Sequence, residues 1–497
     1  MRFLRLTILI LVFALAFPAA LSSQAQESPI EDAECLFEVP EGITAECGYL
    51  SVPESRSGRS NATIRLYFAR IASTGDDPSS YPVIYLSGGP GGNGVEFPDW
   101  AGVILAYTDL ILLDQRGTGY SEPSLNCIEL ELGDKDELEA TQACRDRLAS
   151  EGIDLAAYNT VENAADLDDL RVALGIEQWT LYGISYGTRL ALEALRQTPE
   201  ALRSVVIDAV YPPNVFAYEE QGPNTVKQFK VLFDGCAKDA ACNAAFPNLE
   251  QAFYTLVAEL DAEPAEYTVT DPESGEDIEN TLDGGQLVDI LFQAMYDTER
   301  IPSLPKALWL AINGDYAEAV ALITGGDEED EDEGNNRRQR RADDVEEDLS
   351  DSEGMNLSVD CAEEGAFINM ERVTAALRGA PEAIVGKLIS DVERITEQCK
   401  IWNVPALPAS FKEAVRSGVP VLVLNGEYDP ITPPAWGDLA AETLSSGYSF
   451  TFPGVGHGAA ATSPCADSII AAFLDDPDSE PDGACIADLA PPRFVTD

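Results

Sequence analysis

A serine between two glycines is the first group in this chain that could carry chemistry. Ser185 lies in the middle of the stretch Gly183–Gly187, which directly follows the short apolar run Trp179–Tyr182. This arrangement is typical of a nucleophile elbow, a strained strand-to-helix turn that lifts the serine hydroxyl out of a sheet. Glycines are needed on both sides because a Cβ there would collide with the neighbouring strand or helix. A five-residue pattern of this kind often arises by chance in a chain with 38 glycines. Ser185 is therefore a candidate nucleophile only if a base accompanies it.

The chain contains one histidine, His457, in the glycine-rich loop Gly454–Gly458 directly after a predicted strand. A serine hydroxyl is a poor nucleophile until a base takes its proton, and imidazole suits that task. A carboxylate must then orient the ring and stabilise the imidazolium. Asp429 is the candidate because it lies in a loop after the preceding predicted strand, with Glu427 and Asp208 as alternatives. A serine, a histidine and a carboxylate in these positions predict acyl transfer through a serine.

A glycine-rich loop offers a site for the negative oxygen of a tetrahedral intermediate. The apolar run Val83–Leu86 leads directly into Ser87–Gly92. Such a loop can bind phosphate, but the lysine and hydroxyl residues of a phosphate-binding loop do not follow. We therefore expect its backbone amides to face a substrate oxygen. The expected oxyanion hole combines the amides of Tyr186 and Gly89, with Gly88 as the alternative to Gly89.

Short apolar runs alternate with helical periodicity in the parts of the chain that contain these residues. The predicted buried strands are Val83–Leu86, Asp109–Leu113, Trp179–Tyr182, Ser204–Ile207, Val421–Leu424 and Tyr448–Phe452. Short apolar strands separated by helices are typical of a mostly parallel sheet that is covered on both faces. The predicted fold class is therefore α/β.

We expect a mainly helical insertion at residues 213–405. It divides the α/β core into two parts, residues 26–212 and 406–497. Helical periodicity replaces the strands after Pro212-Pro213. Inside the insertion, seven consecutive acidic residues precede an arginine-rich stretch and a second acidic run. Like charges at this density cannot bury a core. We expect a disordered surface loop at about residues 326–354.

The charge balance and the N-terminus narrow the possible partners. With 87 acidic against 31 basic residues the formal net charge is −56, which repels nucleic acid and anionic membranes. Arg2 and Arg5 precede the apolar run Leu6–Phe17, and Ser23-Gln24-Ala25 fits a cleavage site. That run is shorter than the roughly 20 residues of a spanning helix, which favours a signal peptide at residues 1–25 over an uncleaved anchor. We expect a secreted or periplasmic protein with no membrane association after cleavage.

Ten cysteines fit five disulfides in an oxidising compartment. The simplest arrangement pairs neighbours along the chain: Cys35 with Cys47, Cys127 with Cys144, Cys236 with Cys242, Cys361 with Cys399, and Cys465 with Cys485. An even, locally spaced set in an exported chain argues against a thiol nucleophile or a metal cluster. We expect neither a metal nor a cofactor.

Four motifs in order resemble one known group of enzymes. Gly-Gly-Pro-Gly-Gly at 88–92, Asp-Gln-Arg-Gly-Thr-Gly at 114–119, Gly-x-Ser-Tyr-Gly at 183–187 and Gly-x-Gly-His-Gly at 454–458 are similar to motifs of secreted tripeptidyl aminopeptidases and prolyl iminopeptidases. These are α/β-hydrolases, whose catalytic residues follow the order Ser, Asp, His found here. Ser87 departs from the pattern, because many iminopeptidase relatives have histidine there.

The resemblance implies release of amino acids or short peptides, such as tripeptides, from free peptide N-termini. It also implies that the helical insertion is a cap whose acidic residues hold the α-amino group of the substrate. Asp360, Glu363 and Glu364 are the candidates, since a cationic amine needs carboxylates in a partly desolvated pocket. Two alternatives stay open: an esterase or lipase-like hydrolase with the same catalytic residues, and a non-catalytic binding protein on the same scaffold.

Overall fold

The computed structural model describes residues 29–98, 100–133, 135–270, 277–325, 349–460 and 462–496. The predicted signal peptide, and residues 326–348 of the predicted acidic loop, lie outside these ranges. The described end of that loop lies against the glycine-rich loop, because the amide of Asn93 donates to the carbonyl of Ser350 and the amide of Ser352 to that of Gly91. A helix begins directly afterwards, at Glu353.

Nine strands of the described chain form one sheet, in the order β1-β2-β3-β5-β4-β6-β7-β10-β11. The strands of this sheet are β1 (Ile30–Ala33), β2 (Ala45–Pro53), β3 (Thr63–Ile71), β4 (Val83–Leu86), β5 (Leu110–Leu113), β6 (Trp179–Ile184), β7 (Leu202–Asp208), β10 (Val421–Gly426) and β11 (Gly447–Phe452), and a separate pair is formed by β8 (Ala265–Thr270) and β9 (Asp277–Leu282). From β5 to β11 every neighbouring pair in the sheet is parallel, whereas β1 to β3 are antiparallel. The predicted α/β class with a mostly parallel sheet is confirmed.

Helices cover both faces of this sheet and make up most of the insertion between β7 and β10. They are α1 (Ala101–Leu105), α2 (Ile128–Glu131), α3 (Glu137–Ser150), α4 (Thr160–Ala173), α5 (Tyr186–Gln197), α6 (Ala217–Lys238), α7 (Ala240–Ala245), α8 (Leu249–Ala262), α9 (Gly284–Ala294), α10 (Leu304–Ile312), α11 (Tyr316–Thr324), α12 (Glu353–Glu363), α13 (Met370–Ala376), α14 (Glu382–Trp402), α15 (Pro434–Ala441) and α16 (Pro464–Asp475). The insertion also contains the antiparallel pair β8-β9.

The central strands alternate their side chains between two apolar cores. Ile84, Leu181 and Ile207 pack with α4 and α5 on one face. Tyr182 and Val206, the neighbours of two of these residues, pack with α1 and α16 on the other. A strand buried on both faces has no polar position, which explains the continuous apolar runs in the sequence.

The insertion, which we call the cap, has its own apolar core, built from α6 and α8–α11 together with α13 and α14. The C-terminal segment returns to it: Phe494 packs against this core, and the amide of Val495 donates to the carbonyl of Pro302 at 2.9 Å. The cap is thus held to the α/β core by the C-terminal segment as well as by its two chain connections.

All ten cysteines are paired as predicted, with Cα–Cα distances of 5.1–5.7 Å. These separations lie within the usual range for a disulfide. In the described part of the chain no helix is both long enough and apolar enough to cross a membrane.

Candidate active site

Ser185 lies on a sharp turn between β6 and α5, with φ 54° and ψ −124°. A positive φ is rare for a residue with a side chain, and its strain is typical of functional turns. The flanking glycines allow this turn to pack. A Cβ at Gly183 would collide with the carbonyl oxygen of Gly187, and a Cβ at Gly187 would collide with that of Leu86.

Strand register brings the candidate residues to one edge of the sheet. Leu86 lies beside Gly183, Ile184 beside Asp208, and Asp208 beside Leu424. The loops that follow β4, β6, β7 and β10 therefore start side by side. This is the edge at which open α/β sheets bind their ligands.

Asp429 accepts a hydrogen bond from the imidazole of His457, with 2.9 Å between Oδ2 of the aspartate and Nδ1 of the histidine. Three further donors fix the carboxylate: the amides of Ile431 (3.0 Å) and Thr432 (2.9 Å) at Oδ1, and the Thr432 hydroxyl (2.7 Å) at Oδ2. Asp429 is completely buried. Sequence reasoning did not identify Thr432, although a hydroxyl residue three positions after an aspartate is a common partner for it.

The cap contributes Tyr296 to the site. Its carbonyl accepts the amide of His457 at 2.8 Å, and its ring lies 4.8 Å from the imidazole, centroid to centroid. Burial by itself lowers the pKa of His457, but the charge of Asp429, its hydrogen bond and the charge of Asp208 outweigh burial and leave that pKa raised. No sequence motif predicts a role for Tyr296, because its contact with His457 depends on how the cap packs over the sheet.

The two alternatives to Asp429 have other partners. Glu427 accepts the amide of Gly454 at 3.0 Å. Asp208 accepts the amides of Ala459 and Ala460 at 2.8–3.0 Å. Neither carboxylate is hydrogen-bonded to the imidazole, so Asp429 is the carboxylate whose geometry fits the orienting role.

The glycine-rich loop lies directly over the serine. A Cβ placed on Gly88 would come within 3.0 Å of the Ser185 Cβ and 3.5 Å of its Oγ. The side chain of Gln115 supports this loop from below, since its Nε2 donates to the carbonyl of Ser87 at 3.0 Å. Tyr186 is the first residue of α5, where amides have no partner within the helix. Tyr186, which follows Ser185 in the chain, and the glycine-rich loop therefore both adjoin this serine.

The three carboxylates predicted to hold a substrate amine lie in a buried charged cluster. Glu363 and Glu364 are 0% and 2% exposed, and both pair with Arg189, at 3.5 Å and 2.7 Å. Glu364 also pairs with Lys412. Asp360 is only partly buried and accepts the hydroxyl of Tyr218. Two of the three carboxylates are therefore engaged by cations of the chain itself.

Arg189 is the residue of this cluster that sequence reasoning missed. It follows Ser185 by one helical turn, is 1% exposed, and stacks its guanidinium 3.6 Å from the ring centroid of Tyr211. Its place directly before the mostly apolar stretch Leu190–Leu195 would have been the signal, because arginine is rarely buried without a partner. Its ion pairs join the elbow helix α5 to the cap helix α12.

Replacing Arg189 with methionine should destabilise the fold by about 3–5 kcal/mol, because it leaves buried Glu363 without its cation and leaves Glu364 with Lys412 alone. Burial raises the pKa of Glu363 to about 7, and Arg189 opposes that rise. Without the arginine, protonation relieves the cost, so the loss should be larger at about pH 8 than at about pH 5. Urea unfolding at both pH values measures this.

The matched control is Arg394→Met. Arg394 also joins the cap to the core, through Glu137 at 2.8 Å, but both side chains are about half exposed. Such a pair contributes roughly 0–1 kcal/mol. Equal losses in the two variants would show that the buried cluster does not stabilise the fold in the way proposed.

The comparison with protein families decides the identity of the fold. The model of the α/β hydrolase fold family matches residues 81–464, more than half of the chain. The chain belongs to the α/β-hydrolase fold family. The match extends from just before β4 through the whole cap to the start of α16, and so includes Ser185, Asp429 and His457.

Individual relatives within the α/β-hydrolases agree with the resemblance carried by the four motifs. The serine protease Hip1 of Mycobacterium bovis is 25% identical over 504 residues, covering 93% of this chain and 91% of the relative. The tripeptidyl aminopeptidase of Streptomyces lividans is 32% identical over 209 residues, covering 37% and 38%. The proline iminopeptidase of Xylella fastidiosa is 29% identical over 178 residues, covering 35% and 42%. The predicted class, a serine hydrolase of the α/β-hydrolase fold, is confirmed.

Proposed function

We propose that this chain is a serine exopeptidase that releases amino acids or short peptides, such as tripeptides, from free peptide N-termini. Ser185 is the nucleophile, His457 the general acid and base, and Asp429 the residue that orients the imidazole. The observation that carries the proposal is the buried Asp429–His457 pair, 2.9 Å apart, at the sheet edge where the strained Ser185 turn also lies. The names of the relatives, a serine protease and two aminopeptidases, support the same reaction.

The geometry accounts for each step of acyl transfer. Because Asp429 holds Nδ1, the Nε2 atom of His457 is left to take the proton of Ser185 as the hydroxyl attacks the substrate carbonyl. The amides of Tyr186 and Gly89 would bind the oxyanion. Collapse of the intermediate breaks the peptide bond, and His457 gives its proton to the leaving amine. Water then hydrolyses the acyl-enzyme with the imidazole again acting as base.

The charged cluster in the cap supports selection of a free amine. Three carboxylates, Asp360, Glu363 and Glu364, face two cations, Arg189 and Lys412, so a further positive charge would balance the group. Asp360 is the best candidate to receive it, because it is the one residue of the three that is partly exposed. Burial raises its pKa to about 6, and an ammonium beside it would favour the charged carboxylate.

Export completes the proposal. Five disulfides persist in an oxidising compartment, and the N-terminal sequence has the composition of a signal peptide. We infer that the substrates are peptides outside the cytoplasm, and that neither nucleic acid nor a membrane takes part.

The test compares a tripeptide anilide with a free N-terminus and the same compound after N-acetylation. We expect kcat/KM to fall on the order of a hundredfold or more on acetylation, since Asp360 would lose the ammonium group of the substrate as its partner. Asp360→Asn should raise KM for the free amine and change little for the acetylated compound. Asp234→Asn, at an exposed pair in the cap, is the control variant.

Equal turnover of the two compounds would contradict an aminopeptidase and favour an endopeptidase or an esterase. Faster turnover of a simple acyl ester than of either peptide would favour the esterase. A folded protein that fails to react with a fluorophosphonate at Ser185 would contradict catalysis altogether.

A further inference from the structure

Asp208 contacts both halves of the candidate active site. It is the last residue of β7, and its backbone carbonyl accepts the amide of Ser185 at 3.0 Å. Its carboxylate accepts the amide of Ala459 at both oxygens (2.8 and 3.0 Å) and that of Ala460 at Oδ2 (3.0 Å). One residue thus binds the nucleophile turn and the loop that begins two residues after His457.

The carboxylate is held firmly in this place. Asp208 is completely buried, and the hydroxyl of Tyr182 donates to its Oδ2 at 3.2 Å. The two loops that it connects also touch directly, since a Cβ on Gly458 would come within 3.0 Å of Ile184 Cδ1. A buried carboxylate needs such donors. Here two of the donors are backbone amides of the histidine loop, and this segment is not part of a strand.

We propose that Asp208 is a positioning residue, which holds the His457 loop at the right distance from Ser185 for proton transfer. The proposal rests on the proposed function in so far as Ser185 and His457 react together. The carboxylate of Asp208 is hydrogen-bonded to Tyr182, Ala459 and Ala460 and not to the imidazole, so it acts on the transition state through the position of the base. Misplacing a base by about 1 Å can cost on the order of a hundredfold in rate.

The charge of Asp208 has a second effect, on the protonation of the base. Three residues outside the histidine loop lie near the imidazole: Asp429 follows β10, Asp208 ends β7, and Tyr296 follows α9. Both carboxylates raise the pKa of His457, whereas Tyr296 is neutral because burial raises its own pKa. Removing the charge of Asp208 lowers the pKa of His457, so the base stays deprotonated to lower pH.

The experiment is Asp208→Asn in the full chain. Asparagine keeps the shape but turns an NH₂ group towards an amide of the histidine loop. We expect kcat to fall roughly ten- to a hundredfold while KM stays within about twofold. The acid limb of kcat/KM should move to lower pH. A kcat within about twofold of the wild type, or an acid limb that does not move, would overturn the proposal.

Asp114→Asn is the matched control. Asp114 is also completely buried at the end of a central strand, and it also accepts backbone amides, from Gly94, Val95 and Tyr120, but none from the histidine loop. The Asp114→Asn variant should destabilise the fold without shifting the acid limb of the kcat/KM profile. If both variants move the limb equally, the effect is general loss of packing and the proposal is wrong.

Tyr182→Phe keeps the proposal testable should Asp208→Asn fail to fold. It removes the hydroxyl that donates to Asp208, so we expect kcat to fall, but by less than in Asp208→Asn. An unchanged kcat there would overturn the proposal. The rate of fluorophosphonate labelling at Ser185 is followed in every variant, because it needs the base but no particular substrate. If the wild type labels but cleaves no free-amine peptide, the proposed function fails, and the labelling rates alone decide on Asp208.

Discussion

Replacing Ser185 with alanine should lower kcat on a free-amine tripeptide anilide by about 10⁶-fold, the size seen when a serine nucleophile is removed. The acyl-enzyme cannot form, and the remaining amides of the oxyanion hole can only assist direct attack by water. The fold should be kept, because alanine removes one oxygen and nothing in the packing of the turn depends on the hydroxyl. Steady-state kinetics and a thermal unfolding curve measure the two expectations together.

Ser445→Ala is the control for this variant. Ser445 is exposed and precedes β11, so it lies at the opposite edge of the sheet from the site. Its variant should keep wild-type kinetics. Residual activity of Ser185→Ala above about 1% of the wild type would contradict a covalent route through this serine. Loss of activity in both variants would point to contamination or to damage in preparation.

The sequence predicts the residues of this site that depend on local geometry. Ser185 is identified because the turn needs glycines on both sides of it. A Cβ at Gly183 would collide with Gly187, and a Cβ at Gly187 would collide with Leu86. His457 and Asp429 are identified because each follows a separate parallel strand, and such strands end at the same edge. The five disulfides are also local, since each joins neighbouring cysteines in the chain.

Residues whose role depends on the packing of the cap were not predicted. Tyr296 binds the amide of His457 only because the end of α9 reaches back over the sheet. Arg189 is separated from Glu363 by 174 residues of sequence, and Glu363 and Glu364 were therefore assigned to a substrate amine without their internal cation. Periodicity tells which face of a helix is buried, but it does not tell which helix covers that face.

Replacing Asp429 with asparagine should lower kcat by about 10⁴-fold with little change in stability. The reason lies in the hydrogen bonds at this carboxylate. The amides of Ile431 and Thr432 both donate to Oδ1, so an asparagine must keep its carbonyl oxygen there. Its NH₂ group then replaces Oδ2 and donates to Nδ1 of His457. The imidazole is forced to carry its proton on Nε2, and cannot accept the proton of Ser185.

Glu427→Gln tests the same assignment from the other side. Glu427 is two residues away and also accepts a backbone amide of the histidine loop, from Gly454 at 3.0 Å, but it does not touch the imidazole. Its variant should keep kcat within about tenfold of the wild type, whereas Asp429→Asn should lose about 10⁴-fold. The pH profile separates the two further, since only the loss of the Asp429 charge removes the main support for the raised pKa of His457. A larger loss of kcat in Glu427→Gln would transfer the orienting role to Glu427, and the 2.9 Å contact of Asp429 would then be structural.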